Sequence, residues 1–299
     1  MVKKAYLLLL TLGLLFACSD EVKIVASSEC SVSPVEVDVV YTKKQLNEFK
    51  TASKVVYNLP SPSEMAVILH ETNAIYDVEI LSNPKAEGQY NTDVTRALNM
   101  GVYFADLSFT SMFDYPQQAM LFMSAAQGLS EELDIVGIFN EELMLRLEEN
   151  LSDKDSIMEI VSNTYMETDY YLQENDRSVV AKAILAGAWV EGLYIAAHLK
   201  TENDNSEFVW KKIGAQKNAL SNLIAMMDDC KEPQLDEFIA RLRKLAVAYE
   251  DVKIIENTEV LDSAQAVTEI KSNVIVSDMT AANIDLAVSA CRDYMVIGK

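Results

Sequence analysis

Apolar residues recur at three- and four-residue spacing over most of the stretch from Pro62 to Asp251. This spacing is that of an amphipathic α-helix, whereas the strict alternation typical of half-buried strands is rare here. Glycine is scarce, at 9 of 299 residues, and turns containing Asn, Asp and Gly separate the apolar stretches. The pattern therefore predicts an all-α chain built of stacked antiparallel helical hairpins.

The apolar stripes also predict where the helices of this region begin and end. The expected ranges are 62–72, 92–113, 116–133, 138–151, 153–174, 177–200, 206–228 and 233–250. The first helix has a clear start signal, because Ser61 and Glu64 have the spacing of a capping box and Pro62 stands at the first helical position. We therefore assign residues 56–251 to one helical domain.

The pattern of apolar residues changes after Asp251, and residues 252–299 are interpreted as a C-terminal extension. The segment from Leu261 to Lys271 permits a short helix, and Ser277 begins a last helix that runs through Ile297. The apolar stripe of this last helix consists of Ile284, Ala287, Val288, Cys291 and Met295. Such a stripe predicts that the helix docks on the bundle.

Two helices share a local pattern. Ala97–Tyr103 and Ala183–Trp189 both read Ala-aliphatic-x-x-Gly-small-aromatic, and Glu141–Leu147 similarly echoes Asp236–Leu242. The separation along the chain between the similar segments predicts a duplication with a period of about 90 residues. This would give two pseudo-repeats of three or four helices each. Chance similarity between amphipathic helices is the alternative.

The helix around Gly187 has an unusual composition. Between Val179 and Leu199 only Lys182, Glu191 and His198 have strongly polar side chains, so the helix is expected in the interior. Glycine in mid-helix costs about 1 kcal/mol relative to alanine when exposed. Gly101 and Gly187 therefore indicate that two helices approach closely and meet near the middle of the fold.

A buried carboxylate needs partners, because an isolated one costs several kcal/mol or becomes protonated. Glu191 is such a residue, and Asp106 has a comparable place in the other half of the predicted repeat. One hypothesis is a polar binding pocket between the halves, lined by Asp106, Glu191, Tyr194 and His198, with Tyr103 and Trp189 as apolar walls. The other is a satisfied hydrogen-bond network that fixes helix packing, or partial exposure of these residues at a helix end.

Charge and motifs exclude several classes of function. The formal net charge of −21 leaves no clustered Lys and Arg for nucleic acid, so no nucleic-acid partner is expected. His70 and His198 are the only histidines and do not form the Glu-x-x-His pairs of di-iron bundles, so no metal or other cofactor is expected. A carboxylate-dependent hydrolase stays open, because its acid pair depends on the fold rather than on sequence spacing.

The N-terminus predicts an export signal and a lipid anchor. Lys3 and Lys4 precede an apolar run that is too short to span a bilayer, and Leu15-Phe16-Ala17-Cys18 resembles the lipobox of bacterial lipoproteins. This implies that residues 1–17 are a signal peptide, that Cys18 is lipidated, and that residues 18–55 form a lipidated N-terminus and tether. Ser19-Asp20-Glu21 resembles the acidic tract that directs some lipoproteins to the outer face of the outer membrane. We expect an outer-membrane lipoprotein that faces the periplasm or the cell surface.

The other cysteines are Cys30, Cys230 and Cys291. An oxidising compartment permits one bridge, for example between Cys230 and Cys291, but the spacing shows no disulfide framework. Buried free thiols are the simpler interpretation.

Three segments, Tyr57–Met65, Tyr90–Leu107 and Leu185–Tyr194, resemble an uncharacterised family of exported all-helical bacterial lipoproteins. The resemblance covers residues 55–250 and implies a continuous helical unit behind a lipid anchor, with no activity or site residue to transfer. The expected function is a non-enzymatic interaction or scaffold protein of the cell envelope, attached to the membrane through its anchor and binding a protein or an extracellular polymer. A small-molecule or glycan binder is the first alternative, and the hydrolase is the second.

Overall fold

The computed structural model describes residues 59–135, 137–201, 206–262 and 267–297. The predicted signal peptide, Cys18 and the tether of residues 18–55 lie outside the described residues. The helices are α1 (Pro62–His70), α2 (Asp93–Met112), α3 (Pro116–Glu132), α4 (Glu141–Glu149), α5 (Lys154–Glu174), α6 (Ser178–His198), α7 (Ser206–Gly214), α8 (Lys217–Asp228), α9 (Asp236–Ala248) and α10 (Asp278–Ile297). The strands are β1 (Ala74–Ile75), β2 (Lys200–Thr201), β3 (Lys253–Asp262) and β4 (Val267–Ile275).

The all-α prediction is confirmed, and most helix ends fall within a few residues of the expected positions. The predicted capping box is present: the backbone N–H of Ser61 donates to Glu64 Oε2 at 3.0 Å, and the backbone N–H of Glu64 donates to Ser61 Oγ at 3.3 Å. Thr92, Asn140 and Asp153 cap α2, α4 and α5 with their side chains. Each cap satisfies a backbone N–H that has no partner within its helix.

Several helices end on aspartate where glycine is more common. Asp114, Asp134 and Asp176 follow α2, α3 and α5 with φ between 50° and 64°. Beyond Asp114 the chain turns back so that the N–H of Tyr115 donates to the carbonyl of Thr110 at 2.9 Å, which closes a Schellman turn. Aspartate tolerates this left-handed backbone better than most residues, which explains how so many turns form in a chain with little glycine.

The centre of the fold is the pair α2 and α6, which makes the most extensive contact between helices. α1, α3 and α5 pack around α2, and α10 packs on both α6 and α9. By length and composition α6 could cross a membrane, but 72% of its most apolar window is buried inside the protein. It is therefore the core helix that the sequence predicts.

Two predictions for the C-terminal half are wrong. Residues 206–228 form two helices, α7 and α8, because the chain breaks at Ala215 and Gln216. The predicted short helix at 261–271 is absent from the described residues: Leu261 and Asp262 end β3, Val267–Lys271 lie at the start of β4, and the two strands pair antiparallel with a bulge between Val260 and Asp262. The hairpin sequence is rich in the β-branched residues Val, Ile and Thr, which favour strands over helices.

The last helix of the C-terminal extension packs on the bundle, as its apolar stripe predicts. Ile284, Val288, Cys291 and Met295 are almost fully buried, so the predicted stripe is confirmed. Asn99 of α2 donates to the carbonyl of Met295 at 2.8 Å, which satisfies one of the acceptors left over at the end of α10. Cys230 and Cys291 are both free thiols, so the structure has no bridge between them.

Candidate functional site

Close packing of α2 against α6 places the predicted site residues. A Cβ atom at Gly101 would lie 2.0 Å from the carbonyl oxygen of Ile184, and one at Gly187 would lie 1.9 Å from that of Leu98. Each glycine thus packs on the backbone three residues before the other glycine, so the contact is reciprocal. The predicted close approach is confirmed, whereas the duplication itself stays a prediction.

Asp106 lies one turn beyond this contact and is fully buried. Its Oδ2 accepts hydrogen bonds from the backbone N–H of Ser82, at 3.1 Å, and from the Ser82 hydroxyl. Its Oδ1 has no hydrogen-bond partner among the described residues. Burial first, and then the neighbouring charge of Glu191, raise the pKa of Asp106 well above its usual value. Both causes favour the neutral, protonated form of Asp106.

Glu191 is also fully buried, and its main partner is Arg292 of α10. The guanidinium donates from Nε to Oε2 at 3.2 Å and from Nη2 to Oε1 at 3.4 Å, which is a two-pronged ion pair. Burial raises the pKa of Glu191, while Arg292 lowers it. Because Arg292 matches both oxygens, we assign the negative charge of the acid pair to Glu191.

Arg292 was not among the predicted site residues. A signal for it exists, since position 292 falls four residues after Val288 and three before Met295, on the buried face of α10. Sequence spacing alone does not say which buried carboxylate a distant arginine reaches. The side chain of Arg292 is only 14% exposed.

Tyr194 and His198 extend this cluster toward the surface. The Arg292 guanidinium lies 4.5 Å above the Tyr194 ring, and the rings of Tyr194 and His198 are 4.1 Å apart. His198 Nε2 lies 3.4 Å from Asp285 Oδ1 of α10. The predicted grouping of Glu191, Tyr194 and His198 is therefore present, and α10 covers it.

The two predicted walls have different outcomes. Tyr103 is buried near Asp106 and donates its hydroxyl to the carbonyl of Asn83 at 3.2 Å. Trp189 is buried too, but it stands two residues before Glu191, about 200° around the helix, so it faces away from the carboxylate. The role of Trp189 as a wall of the same site stays a prediction.

These contacts describe a packed polar core rather than an open pocket. We name Asp106, Glu191 and Arg292 the core triad. Both Glu191 oxygens and Asp106 Oδ2 are held by other protein groups, as the packing hypothesis requires, whereas Asp106 Oδ1 has no hydrogen-bond partner among the described residues. Within the part of the chain that the structure describes, no three His, Cys, Asp or Glu side chains come together in a way that could hold a metal ion.

A separate groove opens on the surface, with a volume of about 790 Å³. Three segments form it: the start of α1, the first half of α5, and the turn between α7 and α8. Its lining residues are Leu59, Pro60, Ser61, Ser63, Glu64, Val67, Ile68, Met158, Glu159, Ser162, Ala215, Gln216, Asn218 and Ala219.

No family model, curated protein or solved structure matches this chain. Function must therefore be argued from the groove and the core triad.

The groove depends on two local features of the sequence. The capping box fixes Glu64 at the start of α1, and the break after Gly214 turns α8 away from α7. A Cβ atom at Gly214 would lie 2.7 Å from side-chain atoms of Val274 and Val276, so the base of the hairpin packs against this turn. The apolar periodicity of residues 206–228 predicts one continuous helix, so no sign of this break, or of the groove wall that it forms, is visible in the sequence.

Proposed function

We propose that this protein is a lipid-anchored, non-enzymatic interaction protein of the bacterial cell envelope. The observation that carries the proposal is the surface groove of about 790 Å³. This volume and its mix of apolar walls with a few polar groups are typical of binding sites. The lipobox-like sequence before Cys18 supports attachment to the outer membrane, on its periplasmic or external face.

The core triad supports a packing role rather than catalysis. Carboxylate-dependent glycoside hydrolysis needs two carboxyl groups on either side of a substrate. Asp106 and Glu191 are both fully buried, and Glu191 is paired with Arg292. A ligand in this place would have to displace α10, so the groove is the better binding site.

The anchor and the groove are tested separately in living cells. Metabolic labelling with an alkyne fatty acid should mark the wild-type chain and fail to mark the Cys18→Ser variant. Labelling of both chains, or of neither, would contradict the proposed anchor.

For the groove, a photo-crosslinking amino acid is placed at Ala215, in the groove, or at Val247, on the exposed face of α9 outside it. The expected result is a discrete crosslinked species from position 215 and none from position 247. Equal patterns from the two positions would refute the groove as the interaction surface.

A further inference from the structure

We infer that residues 43–58 of this chain, which we name the proximal arm, dock in the surface groove, and that a partner has to displace them in order to bind. The inference rests on the proposed function and adds a regulation of the same site. Its basis is the place where the described chain begins. Leu59, the first described residue, lies in the groove and is only 7% exposed, and Pro60 and Ser61 also line it.

The covalent connection keeps the proximal arm at the groove. Residues 55–58 span at most about 14 Å when fully extended, so Val55, Val56 and Tyr57 stay near Leu59 and the apolar wall of α1. A segment joined to its binding surface by so short a connection has an effective concentration in the millimolar range. A separate molecule has to compete with that concentration, which makes the arm the favoured occupant.

The apolar residues of the proximal arm suit a surface of this kind. Leu46, Phe49, Ala52 and Val56 recur at three- and four-residue spacing, which is the pattern of one apolar helix face. Such a face gains free energy when it packs on apolar surface and excludes water. The groove offers apolar surface on two sides, from α1 and from Met158 of α5.

Charge favours the same occupant. The proximal arm contains four lysines and one glutamate, a formal net charge of +3, in a chain whose net charge is −21. Among the described residues that line the groove, the charged ones are Glu64 and Glu159, and both are acids. Both have interactions of their own, so the complementary feature is the sign of the local potential rather than a free carboxylate.

Docking of the proximal arm regulates the groove by competition. The arm and a partner contact the same apolar wall, so they exclude each other. The apparent affinity for the partner is then reduced in proportion to the fraction of chains whose groove is free. Weakening the contact between arm and groove should therefore strengthen partner binding.

Intramolecular photo-crosslinking tests the docking on the purified mature chain with Cys18→Ser, which lacks the acyl anchor. The photo-crosslinking amino acid is placed at Ala215, in the groove, or at Val247, outside it. Mass spectrometry of the crosslinked monomer should show peptides of residues 43–58 joined to position 215 and none joined to position 247. Arm peptides joined equally to both positions, or to neither, would overturn the inference. Crosslinks from position 215 to a second copy of the chain would overturn it too.

Two arm variants connect the docking to the regulation. Val56→Asp places a charge in the apolar stripe, so it should lower the yield of the intramolecular crosslink at position 215 about fivefold or more. In cells it should raise the yield of the crosslink from position 215 to a partner about threefold or more. Thr51→Asp adds the same charge on the opposite side of the stripe and is the matched control, which should change neither yield by as much as twofold.

Failure of the inference and failure of the proposed function give different results. If position 215 crosslinks to a partner in cells and Val56→Asp leaves that yield unchanged, the inference fails and the proposed function stands. If the arm crosslinks to position 215 but no partner is captured even by the Val56→Asp chain, the groove is only a packing surface, and both the proposed function and the competition fall.

Thermal unfolding separates a displaceable arm from a permanent part of the core. Both arm variants should unfold cooperatively, as the wild-type chain does, with the helical domain intact. If Val56→Asp alone fails to fold, the arm is an obligatory part of the domain, and displacement by a partner is refuted.

Discussion

Replacement of Arg292 by methionine should destabilise the protein strongly, because it leaves a buried carboxylate without its cation. Glu191 is fully buried, and Arg292 is its two-pronged partner. Removing one member of a buried ion pair typically costs 3–5 kcal/mol, roughly the free energy of two to four pKa units. For a domain of this size, about 3 kcal/mol corresponds to a decrease in melting temperature of roughly 6–12 °C.

The loss should depend on pH in a defined direction. Without Arg292, which lowers its pKa in the wild-type protein, Glu191 should have a higher native pKa than before. A group whose pKa is raised by folding contributes stability that is present below its unfolded value, about 4.3, and is lost as pH rises through its native value. The variant should thus lose much less stability at pH 5 than at pH 8.

Urea unfolding at these two pH values measures the effect. Arg243→Met is the matched control, because Arg243 pairs with Asp228 at 2.6 Å while both side chains are about half exposed. It should cost less than about 1 kcal/mol. The double variant Glu191→Gln with Arg292→Met should recover most of the loss, because no charge is then buried unpaired. The reasoning is refuted if Arg292→Met costs no more than Arg243→Met, or if its cost is the same at both pH values.

Three further predictions concern the core. Gly101→Ala should cost several kcal/mol in urea unfolding, or prevent folding, because its Cβ would lie 2.0 Å from backbone, whereas Gly88→Ala, with nothing within 4 Å, should be tolerated. Ser82→Ala should cost roughly 1–3 kcal/mol in the same assay, because it removes a buried hydroxyl donor from Asp106. Cys291 should resist aromatic disulfide reagents in the native protein, since burial raises the pKa of its thiol to about 12, while half-buried Cys230 reacts faster; equal native rates would contradict this.

Most helices could be predicted because they contact the core through an apolar stripe whose period is visible in the sequence, and α6 because it is apolar nearly all round. The start of α1 shows this best, since Ser61, Pro62 and Glu64 act within one turn and need no distant partner. The hairpin could not be predicted in the same way. The sequence of residues 261–271 permits either structure, and the pairing of β4 with β3, which is not visible in local spacing, decides against the helix.

The acids of the core triad could be predicted, but their cation could not. Glu191 is conspicuous because it interrupts a nearly continuous apolar helix, and Asp106 because it follows the matching pattern at Ala97–Tyr103. Arg292 lies 101 residues from Glu191, on a helix that the sequence assigns to an extension. Only tertiary packing brings that helix onto α6. The groove was missed for a related reason, since it forms between three segments that are far apart in the chain.

The reciprocal glycine contact and the core triad are parts of one arrangement. Where Gly101 and Gly187 remove side chains, the two backbones touch, and the residues one turn further along must face each other across a narrow space. At that place the chain has two acids, and two adjacent buried carboxylates cannot both be ionised at low cost. Burial and the charge of Glu191 raise the pKa of Asp106 and so favour its neutral form, while Arg292 of α10 pairs with Glu191. The final helix therefore supplies the cation for the buried acids of the central pair.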